Sequence, residues 1–107
     1  MYLGLIVETN EPERIWNAFR LANTALDAGH TVEAFLLGEG VEAPDIGTEK
    51  FNPRGVMRKF LGEGGELLAC GTCLDSRDLA EDDLRPRATM GDLLAVVEDA
   101  DEVVTVG

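Results

Sequence analysis

Residues 2–37, YLGLIVETNEPERIWNAFRLANTALDAGHTVEAFLL, decide the fold. Tyr2-Leu3-Gly4-Leu5-Ile6-Val7 is a short apolar run of the kind that forms a buried strand. Asn10 then offers an N-cap, Pro12 suits a first helical turn, and Glu13 stands at the capping-box position. Behind them runs a helical stripe of Ile15, Trp16, Phe19, Ala22, Ala25 and Leu26. Gly29 ends that helix, and Thr31 to Leu37 reads as a second strand closed by Gly38-Glu39-Gly40. A crossover this long implies parallel strands with the helix packed on one face, since antiparallel neighbours need only a tight turn. The Trp16 and Phe19 stripe belongs to the core on this reading, and His30 to a solvated cap at the helix end.

The rest of the chain repeats the alternation. Val41 to Pro53, with Pro44, Gly47, Asn52 and Pro53, reads as an acidic surface loop. A helix from Val56 to Leu61 carries Val56, Met57, Phe60 and Leu61 on one side, and Gly62, Gly64 and Gly65 stop it. Glu66-Leu67-Leu68-Ala69 is the third strand, Leu74 to Leu79 a short helical piece, and Glu81 to Arg87 a charged link. Thr89 caps a last helix with Asp92 at the box position and Leu93, Leu94 and Val97 toward the core; Asp101 to Val106 closes the sheet. Residues 1–107 are thus expected to form one α/β domain of three layers, a mostly parallel sheet of about four to five strands with helices on both faces in a flavodoxin-like arrangement. At this length a single core buries roughly 60–70% of the surface of the unfolded chain.

The 21 acidic residues outnumber the 9 basic ones, and the basic set is arginine apart from Lys50 and Lys59, for a net charge of -12. That balance argues against nucleic acid and against anionic membranes as partners. An acidic, lysine-poor surface suits a cytoplasm rich in salt, where screening weakens self-repulsion. Unfolding free energy should then rise from low to molar potassium chloride, and equal stability in both would remove the idea. The opening residues offer no charged n-region, long h-region or cleavage site, and no apolar stretch reaches the ~20 residues that span a bilayer. The expected location is the cytoplasm.

The chemistry lies in Cys70-Gly71-Thr72-Cys73, the only two cysteines, set behind Leu67-Leu68-Ala69 and followed by Arg77. A C-x-x-C pair can exchange thiols, and a helix start behind it favours the thiolate. Thr72 is the expected cap, with Asp75 at the capping-box spacing, and Arg77 adds a cation one turn on. Zinc needs four such ligands and the chain adds only His30, so no metal site is expected. A structural disulfide closing so short a loop gains little, which leaves reactive and inert thiols as the live readings. Ligands in such folds gather beyond the carboxyl ends of the strands. Thr9, Asn10, Gly38, Gly40, Gly71 and Thr72 occupy such positions and are the candidate binding residues. Gly38-Glu39-Gly40 lacks the third glycine of a dinucleotide fingerprint, and no Walker lysine motif or Ser-His-Asp set can be assembled, so no cofactor is expected.

On these residues the chain resembles the DsrE/DsrF-like, TusD-related sulfur-relay family over nearly its whole length. The resemblance rests on the opening strand and helix, on Phe35-Leu36-Leu37-Gly38-Glu39-Gly40-Val41, on Ala69-Cys70-Gly71-Thr72-Cys73 with Arg77, and on Thr89-Met90-Gly91-Asp92-Leu93. It implies that Cys70 carries a persulfide received from a donor protein and passed to an acceptor, as in a sulfurtransferase of the carrier type, and that Cys73 matches a second cysteine found in some branches. It also implies a homo-oligomer, trimer or hexamer, or a hetero-oligomer with related subunits; the helix from Val56 to Leu61 is the candidate interface. Where relatives often have Arg-Gly after the turn, this chain has Arg77-Asp78. Two other classes stay open at this point, a thiol redox protein cycling a Cys70–Cys73 disulfide and a small-ligand or partner-binding module that leaves its thiols unused.

Overall fold

The computed structural model describes residues 1–107. In chain order they form β1 (Tyr2–Val7), α1 (Pro12–Asp27), β2 (Thr31–Leu36), a 3-10 segment (Gly38–Asp45), α2 (Pro53–Gly62), β3 (Glu66–Cys70), α3 (Gly71–Asp75), β4 (Arg87–Ala88), α4 (Met90–Asp99) and β5 (Glu102–Val106). The five strands lie in the order β4-β3-β2-β1-β5, and every neighbouring pair is parallel. All carboxyl ends therefore share one edge of the sheet.

Strand alternation assigns the two faces. Leu3, Leu5 and Val7 stand in register with Val32, Ala34 and Leu36, and Leu67 and Ala69 continue the row on β3. These residues are buried with α1 and α2, whose Phe19 and Phe60 rings meet edge to face at 5.4 Å. The other face carries α4. A Cβ on Gly4 would lie 2.9 Å from Val96 Cγ1, so glycine lets this helix rest directly on β1.

Several expectations need correction. The cap of α1 is Glu11, whose carboxylate accepts the Arg14 N–H at 2.8 Å; Pro12 occupies the first turn, which leaves Asn10 exposed outside the helix. Trp16 is only half-buried: its ring tilts on Phe51 at 5.2 Å under the Arg20 guanidinium, which fastens the loop before α2 to α1. His30 caps nothing, and its Nδ1 lies 2.7 Å from the amino terminus. Residues 41–45 are not a surface loop, because Val41, Ala43 and Pro44 of the 3-10 segment are buried. Gly40 makes this possible by crossing the end of β1 so closely that a Cβ there would fall 2.0 Å from the Val7 carbonyl oxygen.

The run expected to be a charged link ends in the first residue of β4 and contains Arg85, which is 6% exposed. Arg85 reaches the Val41 carbonyl at 3.3 Å, Asp45 at 2.7 Å and Asp82 at 3.3 Å, so a buried cation ties the 3-10 segment to the 82–85 turn. Removing one partner of such a group would leave a buried charge uncompensated.

On α4 the buried side chains are Leu93 and Val96, while Leu94 and Val97 are 57% and 46% exposed. A lone helix on a sheet face buries one narrow stripe, and the next positions turn outward. Met57 and Phe60 of α2 do the opposite and enter the core, so the helix assigned as an interface spends its apolar side inside the chain. Asp78 has φ 52°, in the left-handed region where glycine is free and aspartate among the better tolerated alternatives. Asp78 thus takes a backbone position that a glycine would occupy without strain.

Candidate functional site

The thiol pair sits where β3 becomes α3. Leu67 and Ala69 bury the strand, Cys70 is its last residue, and the helix begins at Gly71 without a loop. Cys70 is therefore the N-cap itself, its Sγ accepting the Cys73 backbone N–H at 3.3 Å. Thr72, the expected cap, is an exposed residue within the helix, and Asp75 pairs with Arg87 in place of closing a capping box. The sequence pattern placed the helix start two residues late.

The two Sγ atoms are 2.6 Å apart, with Cys73 donating to Cys70. Both are free thiols; Cys70 is 6% exposed and Cys73 half-buried. From across the sheet edge the Gly38 N–H, at the start of the 3-10 segment, donates to Cys73 Sγ at 3.2 Å. Burial pushes the Cys73 thiol above its ordinary value, reinforced by the bond to Cys70, against the opposing pull of the Gly38 N–H and Arg77. Cys73 accordingly holds its proton, and Cys70 is the sulfur that accepts from two donors.

Two arginines flank the pair, each held by a carboxylate. Arg77 folds back onto the Cys73 carbonyl, at 3.2 Å, with its Nε donating to Glu42 at 3.0 Å. Arg87, at the edge of the sheet, grips Asp75 with both Nη atoms at 3.0 and 2.5 Å. This ion pair holds the Asp75 carboxyl below the usual carboxylate range and raises Arg87. A Cβ on Gly71 would lie 3.0 Å from the Arg87 guanidinium carbon, so the guanidinium lies over the first residue after Cys70.

Of the residues proposed from sequence, the fold gathers Gly38, Cys70, Gly71, Cys73 and Arg77 around the thiols, with Thr72 beside them. Gly40 serves the packing of the 3-10 segment. Thr9 is buried, its Oγ1 accepting the Glu11 N–H at 3.1 Å, and Asn10 is exposed; both stand at the end of β1 and shape the entry to α1. Sequence reading missed Glu42 and Arg87. Neither stands in a motif with the cysteines, and each is brought to them by a different stretch of chain.

The profile of the DsrE/DsrF-like family matches residues 1–106. The chain is 37% identical over 102 residues to the uncharacterized protein MJ0989 of Methanocaldococcus jannaschii, covering 87% of each chain. It is 36% identical over 101 residues to the uncharacterized protein MK0008 of Methanopyrus kandleri, covering 86% of this chain and 81% of that one. Among solved structures, the YchN protein of E. coli superposes with a TM-score of 0.83 at 22% identity over 98% of this chain and 99% of its own, a likeness of fold.

Proposed function

Because the chain belongs to the DsrE/DsrF-like family, we propose that it works in sulfur relay as a persulfide carrier with Cys70 as the loaded atom. The observation that supports this reading is the position of Cys70 Sγ at the end of β3, accepting both the Cys73 N–H and the Cys73 thiol. Donors aimed at one sulfur mark it as the acceptor of the pair. The Cys70 thiolate attacks the outer sulfur of a donor persulfide R–S–SH, forming Cys70–S–SH and releasing R–S⁻. An acceptor thiolate later attacks the outer sulfur in turn and regenerates the Cys70 thiolate. Both steps are exchanges without net oxidation, so the protein acts more as a carrier than as a catalyst, and donor and acceptor are proteins of the same cytoplasm.

Cys73 supplies a second path. Its thiolate, attacking the inner sulfur, would release hydrosulfide and leave a Cys70–Cys73 disulfide. The raised thiol of Cys73 makes that attack slow, which suits a carrier that must keep its cargo until an acceptor arrives. The adjacency of the two sulfurs also favours a redox reading in which the disulfide is itself the working state. Intact mass after exposure of the reduced protein to a persulfide donor separates the two. A carrier gains one labile sulfur, absent in Cys70→Ser, whereas a redox protein gains none and loses two hydrogens.

Assembly is proposed through α4. Met90, Leu94 and Val97, 62%, 57% and 46% exposed, form with Gly91 and Leu93 an apolar groove on the outer side of the helix, and Val103 of β5 extends the exposed apolar surface. A homo-oligomer, trimer or hexamer, would cover it. Residues 88–107 contain Asp92, Glu98, Asp99, Asp101 and Glu102 and no Lys or Arg, so copies repel at low salt and associate more firmly as salt screens them. Leu94→Asp is expected to reduce the particle to the 11.5 kDa monomer in light scattering at molar potassium chloride. An unchanged mass would exclude this surface. No helix is long and apolar enough to cross a membrane.

A further inference from the structure

Gly38 opens the 3-10 segment, and the first N–H groups of a helical segment have no acceptor inside it. Here the acceptor is Cys73 Sγ, 35 residues on in the chain, at 3.2 Å. The same sulfur donates to Cys70 Sγ at 2.6 Å, so Cys73 is held between an amide and the atom it would attack. A second grip comes from the same segment: Glu42 accepts from Arg77 Nε at 3.0 Å, and Arg77 Nη1 donates to the Cys73 carbonyl at 3.2 Å. Gly38 has φ 56°, in the left-handed region. Space is not what requires glycine here, since a Cβ would meet only Glu8 Cγ at 3.7 Å. The backbone angle is, because it turns the chain out of β2 with this N–H facing the thiols. The structure assigns Gly38 as the positioning residue of Cys73: its N–H holds Cys73 Sγ against Cys70 and stays on that sulfur as it becomes the attacking thiolate that discharges the persulfide.

The assignment rests on the carrier reading for the identity of this step. Once solvent has taken the Cys73 proton, Cys73 Sγ bonds to Cys70 Sγ, the bond from Cys70 Sγ to the outer sulfur breaks, and hydrosulfide leaves with the electron pair. An amide fixed on the attacking sulfur keeps its side chain in the rotamer that faces Cys70 and meets the charge it carries before the new bond forms. Arg77 serves another atom, since it donates to the carbonyl of Cys73 and not to its sulfur. The carboxylates nearby are Glu42, which is bound to Arg77, Asp75, which is bound to Arg87, and Glu8, which lies beside Gly38.

The test loads the protein with glutathione persulfide and follows hydrosulfide release and intact mass at one alkaline pH. Gly38→Val places a β-branched side chain where the left-handed region excludes it and turns the N–H away. It is expected to slow Cys73-dependent release about tenfold, the low end of what a hydrogen bond to a charged acceptor contributes. Gly38→Asn tolerates the left-handed region and keeps the donor, so it should recover the wild-type rate to within about threefold. In a Cys73→Ser background Gly38→Val should leave the persulfide lifetime unchanged, an invariance that a general loosening of the site would not give. A wild-type release rate in Gly38→Val, or an equal change of lifetime with and without Cys73, overturns the assignment. If Gly38→Val does not fold, Gly38→Ala decides by the same comparison, because its Cβ has room and only the backbone angle resists it. Release should then slow about threefold, and no slowing overturns the assignment. The carrier reading fails separately, by the absence of labile sulfur in loaded wild type. The positioning role is then read from closure of the Cys70–Cys73 disulfide in glutathione buffers, where Gly38→Val should lower the effective concentration of one thiol at the other about tenfold, and an unchanged value overturns it.

Discussion

Gly40→Ala is expected to lower the melting temperature by roughly 10–20 °C, the consequence of about 3 kcal/mol of overpacking in a chain of this size. The added Cβ would stand 2.0 Å from the Val7 carbonyl oxygen and 2.8 Å from its carbon, both main-chain atoms of β1 that no rotamer change can move aside. The 3-10 segment must therefore lift. As it does, the Leu37 N–H leaves the Val7 carbonyl, which it now bonds at 2.9 Å, and the buried Arg85 is pulled from the Val41 carbonyl and Asp45. The same movement withdraws the Gly38 N–H from Cys73 and Glu42 from Arg77. Thermal unfolding and the alkylation rate of Cys73 should change together. A wild-type melting temperature would mean that β1 yields at Val7 and that the segment is not pinned there.

The α/β alternation was legible because each of its signals is local. The apolar run of β1, the stripe from Ile15 to Leu26 and the left-handed Gly29 act within a few residues, and the parallel pairing follows from the length of the crossover. The site was legible only as far as Cys70 and Cys73 lie on one turn. Which of them caps α3 depends on where the strand stops, and with no loop between β3 and Gly71 the sulfur itself takes the role that Thr72 offered. Glu42 and Arg87 come from the 3-10 segment and from β4, at opposite sides of the cysteine turn in sequence, and no spacing rule connects them to it. The 3-10 segment was hidden by composition. Pro44, Gly40 and its acidic residues are those of an exposed loop, and only the crossing over Val7 shows why Val41 and Ala43 are buried.

Cys70→Ser and Cys73→Ser should have opposite effects on bound sulfur. In Cys70→Ser the acceptor of both the Cys73 N–H and the Cys73 thiol becomes a hydroxyl, which retains the capping of α3 but cannot form a persulfide. Folding should persist, and the sulfur gained from a persulfide donor should fall to the level of a chain without cysteines. In Cys73→Ser the Cys70 sulfur still accepts the residue 73 backbone N–H, and loading should continue. What disappears is the attack on the inner sulfur, so the persulfide should persist at least several-fold longer, and the Cys70–Cys73 disulfide should no longer form as hydrosulfide is released. The difference should widen with pH. Cys73 is raised above the ordinary thiol value by burial and by its bond to Cys70, so its thiolate fraction, and with it the wild-type rate of persulfide loss, grows as pH climbs toward that raised value. Below it the thiol stays protonated and wild type approaches the lifetime of Cys73→Ser. Equal lifetimes at alkaline pH would show that Cys73 does not reach the loaded sulfur. Loading retained in Cys70→Ser and lost in Cys73→Ser would move the carrier atom to the more exposed of the two thiols.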